Sequence, residues 1–337
     1  MTKILVRLPT WLGDAVMASP FLATLRARFA DAQFCFVGSS VAIALFARDF
    51  PHARFVLDNT KQQKARLLGI ANLAKELGRF DIAFTLQNNF LSALLLFLTR
   101  SPVRIGYANE MRSFLLTDSL PKQKNLHQAQ RYYELLRPLG ISGEAPTLAL
   151  FAQRDGAPHA RKRVGINTGG AFGSAKRWGK EQFIATARAL LAQGCEVILL
   201  GGADDVATNA AIESELAHAH LRNLTGKTSI EQLIDIIAGL DLFITNDSGP
   251  MHIAAALQIP LIALFGPTDY RETSPWKAQN AFLLSLNLPC APCKKRTCPL
   301  GHHACMENLQ ASEVLAHASQ SLDLFSNLYA IISFPIF

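Results

Sequence analysis

Short apolar runs alternate with amphipathic helical stretches along most of this chain, and that alternation is what most restricts its fold. Each run is a few residues long and is followed by apolar residues at helical spacing. Strands that alternate with helices indicate a parallel sheet covered by helices on both faces. The chain has 337 residues, which is enough for two such domains. We therefore expect an α/β protein made of two Rossmann-like, doubly wound parallel sheets.

The alternation begins twice, first at residues 3–8 and again at residues 164–167. Between the two series, residues 142–163 are rich in Gly, Pro, Ala and charged side chains and show no strong period, which is typical of a linker. We predict an N-terminal domain, a C-terminal domain and a C-terminal tail, at residues 1–150, 151–320 and 321–337. Open α/β sheets bind ligands beyond the carboxyl ends of their strands, so two facing sheets would place a site in the cleft between them.

Basic charge is concentrated in the first half. The net charge of +7 divides into 18 Lys+Arg against 10 Asp+Glu in residues 1–150, and 15 against 16 in residues 151–337. This asymmetry indicates either an anionic partner or a merely solubilising surface. No run approaches the 20 or so apolar residues of a membrane span, and Gly13–Asp14 interrupts any signal peptide. We expect a cytoplasmic protein.

The loop after the first strand of the second half suits a bound diphosphate. Residues 168–178 contain three glycines, which let the main chain approach a ligand closely, and Lys176 and Arg177 add positive charge before the next helix. The alternative is a solvated basic turn between a strand and a helix. The pattern is neither a Walker loop nor an intact dinucleotide fingerprint, so it is only moderately specific.

Two further loops of the second half precede helices and could bind polar groups of a ligand. In one of them, Asp204 or Asp205 could bind ribose hydroxyls or could cap the helix. In the other, Asp247 and Ser248 precede a helix whose first N–H groups could hold an anion without a metal. The alternatives there are an ordinary helix cap and a structural histidine at His252.

In the first half, Asp14 follows the first strand and lies directly before a helix. A carboxylate at this position can act as a general base, or it can be the N-cap of the helix. As a base it would act mainly in the transition state, because the acceptor hydroxyl becomes acidic as it attacks.

Four cysteines near the end of the second domain form the pattern C-x2-C-x4-C-x6-C. Structural zinc, reduced thiols and disulfides are the three alternatives. Reduced thiols are favoured because a cytoplasmic chain is in a reducing compartment. We therefore predict no metal site, and the pattern comprises Cys290, Cys293, Cys298 and Cys305.

Four motifs occur in order over nearly the whole chain: LVRLPTWLGDAVM at residues 5–17, TGGAFGSAKRW at 168–178, TNDSGPMHIAAA at 245–256 and LFGPTDYRETSPW at 264–276. Together they resemble the ADP-heptose:lipopolysaccharide heptosyltransferase family. The resemblance is weakest after about residue 321. It implies the GT-B fold, in which two Rossmann-like domains face a cleft, with the donor nucleotide in the C-terminal domain. It also implies an inverting glycosyltransferase that requires no cofactor.

The resemblance implies roles for individual residues. Asp14 would take the proton of the acceptor hydroxyl, and Lys176 would hold the departing diphosphate. The remaining donor-binding positions would be Thr168, Gly169, Asp204, Thr228, Asp247, Ser248, Gly249 and His252. The acceptor-binding positions would be Thr10, Arg100, Arg104 and Arg112.

The implied reaction moves L-glycero-D-manno-heptose from ADP-heptose to the first inner-core heptose of lipopolysaccharide, carried on Kdo2-lipid A. Residues 246–252 and the cysteine segment favour this step over the preceding or a later core heptose transfer, both of which stay as alternatives. The lipid acceptor implies an anionic inner-membrane surface as a peripheral partner, and no nucleic acid.

Two readings compete with sugar transfer. A basic RNA- or membrane-binding protein is the non-enzymatic alternative, and it would explain the charge of the first half but not the loops of the second. A nicotinamide oxidoreductase is the other enzyme, but its Gly-rich fingerprint does not follow the first strand.

Overall fold

The computed structural model describes residues 1–154 and 159–332. The chain divides into two compact units, Met1–Phe151 and Ala152–Phe337. Each unit contains one six-stranded sheet in which all strand pairs are parallel, with helices between the strands. The predicted α/β class with two doubly wound sheets is therefore confirmed.

In the first unit the sheet has the order β3-β2-β1-β4-β5-β6. Its strands are β1 (Lys3–Arg7), β2 (Gln33–Gly38), β3 (Arg54–Leu57), β4 (Ile82–Thr85), β5 (Val103–Ala108) and β6 (Asp118–Pro121). Its helices are α1 (Leu12–Met17), α2 (Ser19–Arg28), α3 (Ser40–Phe46), α4 (Arg66–Leu77), α5 (Phe90–Leu98) and α6 (Gln128–Glu134). The order in which the strands are added to the sheet reverses between β1 and β4. Ligands bind at this point of reversal in sheets of this kind.

Strand β1 is central, and its register pairs Val6 with Phe36 on one side and with Phe84 on the other. It reads as a continuous apolar run because parallel strands are buried on both faces. The residues after β1 form two helices, α1 and α2, that meet at Ala18. Pro20 at the start of α2 has no N–H to donate, which explains the division.

In the second unit the order is β12-β11-β10-β7-β8-β9. Its strands are β7 (Arg163–Asn167), β8 (Glu196–Leu200), β9 (Leu221–Asn223), β10 (Leu242–Asn246), β11 (Leu261–Leu264) and β12 (Ala281–Leu284). Its helices are α7 (Lys180–Ala192), α8 (Val206–Leu216), α9 (Ile230–Ala238), α10 (Gly249–Ala256), α11 (Tyr270–Thr273), α12 (Ala304–Glu307) and α13 (Ala311–Ile332). The equivalent reversal lies between β7 and β10, so the loops after these strands are the expected ligand-binding loops.

Helix α13 corrects the prediction of a separate tail at residues 321–337. The helix continues to Ile332, so the predicted boundary falls inside it, and residues 333–337 lie outside the described residues. Val314, Ala318 and Leu322 recur at four-residue spacing and pack into the core cluster that contains Phe183 of α7. Within the described part of the chain, no helix has both the length and the hydropathy that a membrane span requires.

Candidate functional site

The loop after β1 places Asp14 at the carboxyl edge of the first sheet. Trp11 is the N-cap of α1, and Asp14 lies in the first helical turn, so the alternative of an Asp14 cap is wrong. The Tyr132 hydroxyl donates to Asp14 Oδ1 at 3.2 Å. Burial, followed by the nearby charge of Asp14, raises the pKa of Tyr132 well above its ordinary value. Tyr132 therefore stays protonated at neutral pH and orients the carboxylate as a donor.

A buried ion pair closes the end of β1, and sequence reasoning missed it. Arg7 is 1% exposed, and its Nη2 atom lies 2.5 Å from Oδ2 of Asp58, whose side chain is 8% exposed. Asp58 also accepts hydrogen bonds from the N–H and the hydroxyl of Thr60. Desolvation lowers the pKa of Arg7, and the charge of Asp58 opposes that effect. The pair fixes the strand end from which the loop carrying Asp14 departs.

In the second unit, Lys176 joins the loop after β7 to the loop after β10. Its Nζ atom lies 2.6 Å from Oδ2 of Asp247, and the side chains are 13% and 4% exposed. Asp247 also accepts a hydrogen bond from the Thr268 hydroxyl at 2.5 Å. Lys176 Nζ lies 5.0 Å from the centroid of the Phe172 ring. The structure thus brings together two residues that the sequence placed in the donor site separately.

Helix α10 begins beside this ion pair without a side-chain cap. Ser248 is the N-cap residue, but its hydroxyl accepts from the Asn167 amide at 3.1 Å and lies 3.0 Å from the Thr245 hydroxyl. The alternative that its side chain caps the helix is therefore wrong. A helix start with no side-chain cap can give its first N–H groups to an anion. Gly249 is the first residue of α10, and His252 is buried in the same helix.

The two adjacent aspartates after β8 have different environments. Asp205 is buried, and it accepts from the Gly202 N–H at 2.9 Å and pairs with Arg177 at 3.3 Å. A Cβ atom at Gly169 would lie 2.2 Å from Asp205 Oδ2, so glycine is required for this close approach. Asp204 is exposed. The protein uses Asp205 internally, and Asp204 stays the candidate for ribose hydroxyls.

The two threonines predicted to bind the donor differ in the same way. The hydroxyl of Thr168 donates to Asn209 Oδ1 at 2.7 Å, and the side chain is buried. This geometry favours a structural role for that hydroxyl. Thr228 is partly exposed in the loop between β9 and α9, directly before the capping box that Ser229 and Gln232 form at the start of α9.

Comparisons with known proteins identify the family of this chain. The model of glycosyltransferase family 9 (heptosyltransferase) matches residues 70–304. The chain belongs to glycosyltransferase family 9. It is 37% identical to the lipooligosaccharide heptosyltransferase 2 of Campylobacter jejuni, over 95% of this chain and 98% of that protein. It is 31% identical to the lipopolysaccharide heptosyltransferase 2 of Escherichia coli K12, over 93% and 96%.

The solved structure of E. coli ADP-heptose lipopolysaccharide heptosyltransferase II is similar in fold, with a TM-score of 0.80 and 27% identity. It covers 96% of this chain and 99% of that chain. The predicted family and the GT-B class are therefore confirmed. As a family-9 member, the chain is a glycosyltransferase.

Arg112 of this glycosyltransferase is fully buried and is not available to an acceptor. Its Nε donates to the Tyr107 carbonyl at 2.9 Å. Its Nη1 donates to the Gln87 carbonyl at 2.6 Å and to the Ser92 hydroxyl at 2.8 Å. Desolvation lowers the pKa of Arg112 to about 10. The guanidinium joins the loops after β4 and β5, and this geometry argues for a structural role in place of the predicted acceptor contact.

The other predicted acceptor residues are also spread apart. Arg100 lies between the end of α5 and the start of β5, at the amino edge of the first sheet and away from Asp14. Arg104 donates to the carbonyls of Leu115 at 2.8 Å and Ser101 at 2.5 Å. These positions argue against acceptor binding by either arginine. Thr10 lies in the loop after β1, and its position is compatible with the predicted acceptor contact.

The four clustered cysteines belong to a segment, residues 290–305, that we call the cysteine segment. It contacts the loop after β7, residues 168–178, which we call the donor loop after its predicted role. Sequence reasoning missed this contact. All six cysteines are free thiols. Hydrogen bonds from main-chain N–H groups, chiefly that of His303, lower the pKa of Cys298. In the residues that the structure describes, no group of three or more His, Cys, Asp or Glu side chains is arranged to hold a metal ion. The four clustered cysteines line one small cavity: Cys290, Cys293, Cys298 and Cys305.

Proposed function

We propose that the chain transfers heptose from ADP-heptose to the first inner-core heptose of lipopolysaccharide. The observation that carries this proposal is the junction of Lys176, Asp247 and the uncapped start of α10 at the carboxyl edge of the second sheet. This junction offers a cation and helix N–H groups to a diphosphate. The names of the curated relatives supply the sugar and the acceptor class.

The chemistry divides between the two units. Asp14 takes the proton of an acceptor hydroxyl as that oxygen forms its bond to the anomeric carbon of the heptose. The bond from the anomeric carbon to the diphosphate oxygen breaks, and ADP leaves with the electron pair. Lys176 and the N–H groups of α10 stabilise the negative charge that develops on the leaving group. Direct displacement inverts the anomeric centre, and the proposed mechanism requires no metal.

The test combines calorimetry and turnover on the wild type and on Asp14→Asn, in EDTA. We expect the wild type to bind ADP in preference to UDP and NAD. We expect Asp14→Asn to bind ADP within about twofold of the wild type and to lose at least about 1,000-fold in kcat, because the amide cannot accept the proton. Nearly normal turnover of Asp14→Asn would remove it from the role of base.

The acceptor assignment has its own test. Purified Kdo2-lipid A and its monoheptosylated form are offered to the wild type with ADP-heptose. We expect product only from the monoheptosylated acceptor, because the relatives in C. jejuni and E. coli are named heptosyltransferase 2. Efficient transfer to the acceptor without heptose would assign the chain to the preceding step.

We also propose that the first unit docks on an anionic membrane surface. Met111 and Phe114 follow β5 and are 90% and 72% exposed, and the Phe114 ring lies 6.3 Å from that of Phe90. Lys122 and Lys124 are exposed just after β6, at the same carboxyl edge of the sheet. Exposed apolar and basic side chains in the segments that follow two neighbouring strands suit a bilayer of anionic lipid.

Vesicle sedimentation tests this docking surface. We expect the wild type to sediment with vesicles that contain phosphatidylglycerol and not with pure phosphatidylcholine, and Phe114→Ser to lose most of that binding. Leu300→Ser, an exposed apolar residue of the second unit, is the control and should bind like the wild type. Equal binding of wild type and Phe114→Ser would contradict the proposal.

A further inference from the structure

The cysteine segment carries Arg296 to the donor loop through main-chain contacts. The Ala175 N–H donates to the Arg296 carbonyl at 3.0 Å. A Cβ atom at Gly173 would lie 2.3 Å from the same carbonyl oxygen, so only glycine permits this approach. The ring of His303 adds a contact of 2.8 Å between its Nε2 and the Ala175 carbonyl. The main chain of Arg296 is therefore held against the loop that carries Lys176.

The side chain of Arg296 also contacts the donor loop, at the ring of Phe172. Its Cζ atom lies 5.6 Å from the centroid of the Phe172 ring, the ring that also has Lys176 Nζ at 5.0 Å. Both cations thus lie within cation–π distance of one aromatic side chain. The Arg296 side chain is exposed, so a ligand can reach it.

A bound diphosphate would meet no net positive charge from Lys176, Arg177 and the two aspartates that pair with them, so a further cation would favour its binding. Lys176 is already paired with Asp247, and Arg177 is already paired with Asp205. These four groups together contribute no net charge to an incoming diphosphate, which brings at least two negative charges. Among the described residues, no carboxylate lies within ion-pair distance of Arg296, whereas its neighbour Lys294 pairs with Glu272 at 3.0 Å.

We propose that Arg296 is a donor-binding residue that contacts the diphosphate of the nucleotide sugar. Its guanidinium offers a planar fork of N–H donors that matches two phosphate oxygens. The cysteine segment then has a function in donor binding, because it holds this guanidinium at the Phe172 ring that Lys176 also contacts. The inference rests on the proposed function, since it assumes that the donor diphosphate binds at Lys176.

The test measures the binding of ADP by calorimetry and of adenosine by ligand-observed NMR, on four proteins in EDTA. They are the wild type, Arg296→Gln, Arg296→Lys and the matched control Lys294→Gln. We expect Arg296→Gln to bind ADP about tenfold more weakly and adenosine as the wild type does, because only ADP carries the diphosphate. The affinity of Arg296→Lys for ADP should lie between those of Arg296→Gln and the wild type. Lys294→Gln should bind ADP within about twofold of the wild type, because Lys294 is already paired.

The outcomes separate this inference from the proposed function. If the wild type binds ADP and Arg296→Gln binds it equally well, the contact is absent and the inference alone fails. Equal losses for ADP and adenosine would show that Arg296 only shapes the loop, and would overturn the inference too. If the wild type itself binds no ADP, the donor assignment fails and the inference falls with it.

Discussion

Each unit places a basic residue against an aspartate at the carboxyl edge of its sheet, and the two pairs are built differently. Arg7 belongs to a central strand, and its pair with Asp58 is sealed, at 1% and 8% exposure. Lys176 belongs to a short turn in a glycine-containing loop, is 13% exposed, and lies beside the uncapped start of α10. One pair is part of the scaffold, whereas in the other we propose that Lys176 exchanges its carboxylate partner for a phosphate of the donor.

The difference in exposure between the two ion pairs indicates different functions for them. A buried pair costs desolvation to form, but removing one partner leaves an uncompensated charge in the core. A lysine at the edge of a loop can turn to a ligand when the ligand brings a stronger negative charge. The first pair should therefore affect stability and the second should affect binding.

The largest expected effect is the loss of the sealed pair. Asp58→Asn keeps the shape of the side chain and leaves Arg7 buried without a counter-charge, so we expect the free energy of unfolding to fall by about 3–5 kcal/mol. ADP affinity should not change in the folded protein. Chemical denaturation followed by circular dichroism measures the first quantity.

The control for this prediction is the exposed pair of Arg54 and Glu76, whose side chains are 49% and 60% exposed at 3.6 Å. Arg54→Gln should change the free energy of unfolding by no more than about 1 kcal/mol, because exposed pairs contribute little. Equal losses in Asp58→Asn and Arg54→Gln would show that the Arg7 pair is not structural.

Disruption of the Lys176–Asp247 pair should change ADP affinity more than the stability of the fold. We expect Lys176→Ala to bind ADP roughly 10- to 100-fold more weakly, because a charge-assisted contact to the diphosphate is lost and Asp247 is left to repel it. Calorimetry measures this loss. Lys180→Ala removes an exposed lysine whose one ion pair within the described residues is with Glu181 at 3.7 Å, and it should bind ADP like the wild type.

A double variant separates the two causes of that loss. In Lys176→Ala/Asp247→Asn the repelling carboxylate is gone, so part of the lost ADP affinity should return. If the double variant binds ADP more weakly than Lys176→Ala, then Asp247 contributes to donor binding in its own right, and the exchange of partners is the wrong description of this pair.

The fold could be predicted from the sequence where buried elements have a clear apolar pattern. β1 and β10 are central parallel strands, so their residues are apolar on both faces and stand out as continuous runs. β6 carries no such pattern, because Asp118, Ser119 and Pro121 form no apolar run, and only its pairing with β5 makes it a strand. Edge strands carry little sequence signal of their own.

The sequence indicated the members of the proposed donor site one by one, but not the contacts between them. The motifs indicated Lys176 and Asp247, yet their ion pair joins segments about 70 residues apart and exists only after folding. The burial of Arg112 was unpredictable for the same reason, because its acceptors come from β5 and from the loop after β4. A charged residue usually indicates a surface, and here that assumption failed.

The smallest expected effect concerns Tyr132, whose hydroxyl donates a hydrogen bond to Asp14 Oδ1. This neutral donor orients the carboxylate for its proposed role as the base. We expect Tyr132→Phe to lower kcat about three- to tenfold and to leave ADP affinity unchanged. Because the pKa of Tyr132 is raised well above its ordinary value, the ratio of wild-type to variant kcat should stay constant from about pH 7 to about pH 9.

Tyr133→Phe is the matched control for this variant, because Tyr133 is the next residue of α6 and its hydroxyl makes no hydrogen bond in the part of the chain described. It should leave kcat within about twofold of the wild type. A ratio for Tyr132→Phe that rises steadily with pH would mean that Tyr132 itself loses its proton in this range. Tyr132 would then be a second titrating group beside Asp14, and its role as a neutral donor that orients the carboxylate would be wrong.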